Sequence, residues 1–90
     1  MTVDIAGPTA IQPGAQCTWT AVVTGGSGSY TFDWFNQNLF QGNGQYYTGG
    51  RLSGSTASHF WLRVNVWDGY QSKSKEILVA EDPSAPICII

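Results

Sequence analysis

The chain has 90 residues, a net charge of −2 and only 11% charged residues, against about 25% in an average globular protein. This length predicts one small domain. The four cations form no basic stripe, so we expect no nucleic-acid binding, and the apolar runs are too short for membrane insertion. Hydroxyl and amide side chains supply most of the polarity, a composition common in exported proteins.

The first third of the chain alternates apolar and polar residues, which predicts β-strands, and no stretch repeats apolar residues at helical spacing. Strands are expected over residues 2–6 and 16–24, separated by a turn at Gln12-Pro13-Gly14. The glycine- and serine-rich residues 25–29 then predict a loop. The second strand places four apolar side chains on one face, namely Cys17, Trp19, Ala21 and Val23.

The middle of the chain predicts a strand over residues 30–35, in which Trp34 points into the core and Asp33 and Phe35 point outward. Turn residues then surround two short strands, and a surface crossover follows them. The expected ranges are 39–40 and 45–47 for the strands and 49–57 for the crossover.

The clearest pattern lies in residues 60–67. Phe60, Leu62, Val64 and Val66 supply a continuous apolar row, so they must face the core; a slip of one residue would bury polar side chains instead. The residues that must then point outward are Trp61, Arg63, Asn65 and Trp67.

The end of the chain predicts a hairpin followed by a linker. Asp68-Gly69 suits a type I′ turn, and its partner strand should run from about Gln71 to Ala80. Two prolines in residues 81–86 exclude a central strand there. We therefore expect a domain over residues 1–82 and a C-terminal tail or linker over 83–90.

Short strands separated by turn residues predict an all-β fold, specifically an antiparallel immunoglobulin-like β-sandwich of about seven strands. Three segments in this order carry a family resemblance: Ile5-Ala6-Gly7-Pro8 with Gly14, residues 18–34, and Leu62-Arg63-Val64-Asn65-Val66-Trp67-Asp68-Gly69. Over roughly residues 3–80 the chain resembles polycystic-kidney-disease (PKD)-type and related bacterial immunoglobulin-like repeats.

The resemblance implies a spacer or adhesive module on a secreted or surface protein, with no chemistry to transfer. The chain departs from the family pattern at two places. Val64 stands where antibody-like domains have their second cysteine, and Asn36-Gln37-Asn38 replaces the Gly-Asp-Gly turn of many PKD-type domains.

Residue chemistry predicts no catalytic residues, no cofactor and no metal site. Nucleophilic catalysis needs a base beside Ser or Cys, but Ser58 and His59, as strand neighbours, point to opposite faces. Two cysteines and one histidine cannot complete a zinc site. A calcium site is an alternative that no regularly spaced loop supports; its ligands would be Asp4, Asp68, Glu81 and Asp82.

Cys17 and Cys88 are candidates for a disulfide, because the second strand begins and the last strand ends at the same pole of such a sandwich. The alternatives are a buried free Cys17 with Cys88 in the tail, or a bridge to a neighbouring chain. A bridge would indicate an oxidising compartment.

The outward aromatic residues are the candidate binding face: Phe35, Trp61, Arg63, Asn65 and Trp67. Trp and Arg are enriched at binding hot spots, and a guanidinium placed between two indoles suits cation–π contacts. The competing interpretations are packing of both tryptophans under residues 36–47 or along cross-strand neighbours, a protein contact, and sugar stacking.

We therefore expect a non-catalytic extracellular or surface-displayed module that acts as a spacer and protein-interaction domain. Its partners would be another protein or neighbouring domains of a larger chain, with self-association through an open strand edge or the tail Ile87-Cys88-Ile89-Ile90. Met1 is followed by no signal peptide, which favours one alternative, a structural subunit of a virion or extracellular filament. The other alternative is a carbohydrate-binding module that uses Trp61 and Trp67.

Overall fold

The computed structural model describes residues 1–51 and 58–88. Most of the predicted crossover and the last two tail residues, Ile89 and Ile90, lie outside this range. The described residues form eight β-strands: β1 (Thr2–Ala6), β2 (Ala10–Ile11), β3 (Cys17–Thr24), β4 (Thr31–Asn36), β5 (Leu39–Asn43), β6 (Tyr46–Gly49), β7 (His59–Trp67) and β8 (Ser72–Glu81). Within those residues, no helix is long and apolar enough to cross a membrane.

The strands form two sheets, of order β1-β3-β6 and β2-β8-β7-β4-β5, so the all-β prediction is confirmed. The strand pairs are antiparallel except for β2, which pairs in parallel with the end of β8. The expected number of about seven strands becomes eight, because Ala10 and Ile11 form a two-residue strand too short to show any periodicity.

The two sheets share one core, in which three aromatic rings join them. Tyr47 of β6 stacks between Trp19 of β3 and Trp34 of β4, with ring centroids 5.9 and 5.6 Å away. Both indole N–H groups donate to backbone carbonyl groups, Trp19 to Pro8 and Trp34 to Gly44, each at 2.8 Å. Each tryptophan is therefore buried with its polar atom satisfied.

The predicted alternation of β7 is confirmed. Phe60, Leu62, Val64 and Val66 are buried, whereas the residues between them lie on the opposite face of the sheet. The strand lies between β4 and β8, so its inward side chains occupy the middle of the core.

A disulfide joins Cys17 at the start of β3 to Cys88 after β8, as predicted, with a Cα–Cα distance of 5.3 Å. The residues expected to act as a tail or linker pack against the domain on their way to this bridge. Ala85 is buried, and its carbonyl accepts a hydrogen bond of 3.0 Å from Nε2 of Gln12. The segment is therefore held at one pole of the sandwich by a covalent bond and by packing.

The hairpin turn predicted at Asp68-Gly69 is wrong. Trp67 pairs with Ser72, so four residues connect β7 to β8, and of these only Gly69 has a positive φ. The longer loop forms because the Asp68 carboxylate accepts hydrogen bonds from the backbone N–H groups of Tyr70 and Gln71, at 2.9 and 2.8 Å.

Candidate contact face

The predicted binding residues lie together on the outward face of the five-stranded sheet. β4 lies beside β7, and Phe35 of β4 is directly opposite Arg63 of β7. Trp61 and Trp67 are 45% and 48% exposed, whereas Phe35, Arg63 and Asn65 are half-buried. The tryptophans are therefore not packed beneath other segments.

Five outward side chains occupy neighbouring strand positions at one end of this face, and we call them the aromatic–arginine cluster: Phe35, Phe40, Trp61, Arg63 and Leu78. Phe40 of β5 lies opposite Phe35, with ring centroids 5.7 Å apart and an edge-to-face geometry. Leu78 of β8 lies opposite Trp61. Phe40 is 56% and Leu78 42% exposed, so the cluster presents apolar surface across four neighbouring strands.

Arg63 does not lie between two indoles, and that expectation is corrected. Its Cζ lies 4.6 Å from the centroid of the Phe35 ring, a cation–π arrangement with the cross-strand neighbour. Trp67 is four residues away along the strand, about 13 Å at the rise of a β-strand. The guanidinium of Arg63 therefore contacts the Phe35 ring on the neighbouring strand and not the distant indole of Trp67.

The β4–β5 turn fixes the guanidinium from a second side. Gln37 and Asn38 have φ of 52° and 65°, so both occupy the left-handed region that a two-residue type I′ turn requires. The Asn38 Oδ1 accepts a hydrogen bond of 2.9 Å from Nη1 of Arg63. The backbone N–H of Gln37 donates to the Trp61 carbonyl at 2.9 Å, which ties the turn to β7.

Sequence reasoning missed Phe40 and Leu78. Phe40 was placed on a short strand, but its face depends on a register shift between Trp34 and Phe35, where Gln41 is left without a partner. Leu78 stands on a strand whose first half is polar on both faces, so alternation alone does not assign its direction. Leu78 stands between Ile77 and Val79, so if those two face the core, alternation directs Leu78 outward.

Trp67 and Asn65 belong to a different neighbourhood of the same face. A polar row of Asp33, Asn65 and Ser74 crosses the sheet between Trp67 and Arg63. A cleft of about 210 Å³ lies on the β8 side, lined by Asn65, Ser72, Lys73 and Ser74. Another of about 270 Å³ lies on the β4 side, lined by Ser29, Tyr30, Thr31, Trp67, Asp68 and Gly69.

The carboxylates considered for calcium are engaged elsewhere. Asp68 is buried, and hydrogen bonds from the backbone of Gln71, then Tyr70, hold its pKa below the usual range. Glu81 pairs with Nε of Arg51 at 3.2 Å and also accepts from the backbone N–H of Gly14. No group of three or more metal-ligating side chains occurs within residues 1–51 and 58–88.

Ser58, in the bend before β7, and His59, the first residue of β7, are both exposed. Comparison of the chain with protein-family models, with curated proteins and with solved structures finds no match.

Proposed function

We propose that the chain is a non-catalytic, immunoglobulin-like module of an extracellular or surface-displayed protein, and that its aromatic–arginine cluster is a contact surface for another protein. The exposure of this cluster is the observation that carries the proposal.

The strand order supports the immunoglobulin-like assignment. In that fold the first, second and fifth strands of the standard series share one sheet, and the third, sixth and seventh share the other. Here β1, β3 and β6 form the smaller sheet, and β4, β7 and β8 lie adjacent in the larger one, extended by β5. Trp34 on β4 is buried, and immunoglobulin domains carry a buried tryptophan on the strand that β4 would match. The PKD-type resemblance is part of the same proposal.

The disulfide is consistent with an extracellular location, since cysteines stay reduced in most cytosolic proteins. It also suits a small module that must stay folded outside the cell. A domain of 90 residues buries only about two-thirds of its unfolded surface, so a covalent crosslink adds a substantial share of its stability.

The cluster has the composition and the size of an interface core. An aromatic side chain buries about 150–250 Å² on full burial, so the exposed parts of Phe40, Trp61 and Leu78 together leave about 300 Å² of apolar surface. A patch of this size on a monomer is often functional. It is smaller than the about 800 Å² per partner of a stable complex, so we expect weak contacts that tandem copies or polar surroundings reinforce.

Arg63 indicates the chemistry of the partner. Phe35 and Asn38 hold the guanidinium in place, so less side-chain entropy is lost when a partner binds. Glu76 of β8 lies opposite Arg63 in the strand pairing, but the ion pair found among residues 1–51 and 58–88 is Arg51–Glu81. The fitting partner is a protein surface that places a carboxylate or carbonyl oxygen opposite Arg63, with apolar side chains around it.

Photo-crosslinking tests the contact directly. A benzophenone amino acid is placed at Trp61, and in a matched control at Val22, which is equally exposed at 45% on the other sheet. Each protein is irradiated with the extracellular proteins of the cells that make it. We expect an adduct at position 61 that Arg63→Glu removes, and none at position 22. Equal adducts at both positions would contradict the proposal.

A filament or virion subunit is a second candidate, favoured by the difference between the two ends of the larger sheet. The open part of β8 carries Lys73, Lys75 and Glu76, which discourage the addition of another strand. The opposite end, β5, has no charged residue and exposes Leu39 and Phe40. Sedimentation at protein concentrations up to about 1 mM separates the candidates, because a subunit forms assemblies there and an isolated module does not.

A further inference from the structure

We propose that Trp67, with the two clefts beside its strand, is a binding site for a neutral oligosaccharide, separate from the aromatic–arginine cluster. This inference does not depend on a protein partner at Trp61. It rests on the different chemistry of the two ends of one sheet face.

Trp67 is isolated from the other exposed apolar side chains of the face. Its direct cross-strand neighbours are Thr31 on β4 and Ser72 on β8, both hydroxyl residues. The next row toward the cluster is Asp33, Asn65 and Ser74. A half-exposed indole surrounded by polar groups offers little continuous apolar area to a protein partner, whose hot spots need a desolvated apolar centre.

The same surroundings fit a sugar ring. A pyranose has faces of C–H groups, which pack against the electron-rich face of an indole, and a rim of hydroxyl groups. Serine and threonine hydroxyls both donate and accept hydrogen bonds, and the asparagine amide has one acceptor oxygen and two donors. The hydroxyl and amide groups that line the clefts can therefore form hydrogen bonds in both directions with the hydroxyl groups of a sugar.

The charges nearby favour a neutral ligand. The charged groups beside the indole are carboxylates, Asp33 on the next row and Asp68 in the β4-side cleft, so they disfavour an anionic ligand. Lys73 pairs with the buried Val66, so its side chain points to the opposite face of the sheet. Asn43 already donates to the Asp33 carboxylate at 2.5 Å. Asp68 is saturated by the backbone N–H groups of Ser27, Tyr70 and Gln71. Both carboxylates repel an anion, and both already accept hydrogen bonds from within the chain, so a neutral ligand fits the site best.

The geometry sets the length of the ligand and fixes one wall of the site. The clefts lie on the β4 and β8 sides of β7, which are about 10 Å apart at the usual strand spacing. That separation is wider than one pyranose ring, so filling both clefts takes an oligosaccharide.

Asp68 joins two loops at the β4-side cleft, because its carboxylate accepts a hydrogen bond from the N–H of Ser27 while Ser27 Oγ donates to its carbonyl. A wall held in this way loses little entropy on binding.

Nuclear magnetic resonance of the four tryptophan side chains tests the site within one protein. The indole N–H groups of Trp19 and Trp34 donate to internal carbonyls and serve as internal references. The ¹⁵N-labelled domain is titrated separately with cellohexaose, laminarihexaose, mannohexaose and chitohexaose, and with glucose as the short control. We expect at least one hexasaccharide to shift the Trp67 indole signal, with a dissociation constant of about 1 mM or lower, and to leave Trp61 unchanged. Glucose should bind more weakly.

Matched variants complete the test. Trp67→Thr should weaken binding of that hexasaccharide about tenfold or more, whereas Trp61→Thr, at a similarly exposed position of the same strand, should leave it unchanged. Asn65→Ala should also weaken binding, and it leaves the indole in place. The proposal is overturned if no hexasaccharide shifts the Trp67 signal, or if Trp61→Thr weakens binding as much as Trp67→Thr.

Discussion

Loss of the Cys17–Cys88 disulfide should remove a large part of the stability of the domain. The bridge joins residues 71 positions apart, and closing a loop of that length in the unfolded chain corresponds to about 4 kcal/mol in the chain-entropy model. Small domains have total stabilities of about 5–15 kcal/mol. At this size, about 4 kcal/mol lowers the melting temperature by roughly 15–30 °C.

The assay compares the wild-type domain with Cys88→Ser, with and without a reductant, by circular dichroism during heating. The variant leaves Cys17 in its buried position, so the core keeps its shape. Reduced wild type and the variant should melt together, well below the oxidised wild type, and the variant should not respond to reductant. Two free thiols in the intact mass of unreduced protein, or equal melting of wild type and variant, would refute the reasoning.

Three further substitutions test the core, the first turn and the loop at the opposite pole. Trp34→Ala should cost about 3–5 kcal/mol in urea unfolding, because the side chain is 1% exposed between the sheets. Gly7→Ala should cost about 1–3 kcal/mol, since Gly7 has a φ of 147° and a Cβ there would overlap the Trp19 ring. Asp68→Asn should make the free energy of unfolding fall less steeply as the pH is lowered into the acid range. The folded pKa of Asp68 is lowered from its usual value of about 3.9, so its contribution is present above that value and is lost as pH falls through the folded pKa. Parallel pH curves for wild type and Asp68→Asn would contradict this assignment.

The parts of the fold that follow from alternation were predictable from the sequence. Parity alone assigns every side chain of β7 to one of two faces, because a slip of one residue would bury Arg63 and Asn65. The same reasoning directs Phe35 outward and Trp34 into the core, whereas the pairing of Phe35 with Arg63 is known only from the structure. The positions where the strands begin and end favour the Cys17–Cys88 disulfide, but the sequence leaves a free Cys17 and an intermolecular bridge open, and the structure decides between them.

The features that escaped prediction depend on single long-range contacts. A two-residue strand such as β2 has no period, and it forms because β8 offers a parallel partner. The type I′ turn lies at Gln37-Asn38, which lacks the usual glycine, whereas Asp68-Gly69 has that signal but is opened by hydrogen bonds to the Asp68 carboxylate. The outward face divides into the aromatic–arginine cluster and the polar surroundings of Trp67. This division depends on the pairing register of three strands, and the pattern of one strand alone does not determine that register.

The central claim is that the exposed side chains of the aromatic–arginine cluster serve contact and not packing. The unfolding free energy of the double variant Phe40→Thr/Trp61→Thr tests it most directly, since threonine suits a strand at both positions. Both side chains are about half exposed, so we expect a loss of less than about 1 kcal/mol for each substitution. A loss as large as that of Trp34→Ala would show that these side chains hold the sheet together, and it would contradict the account.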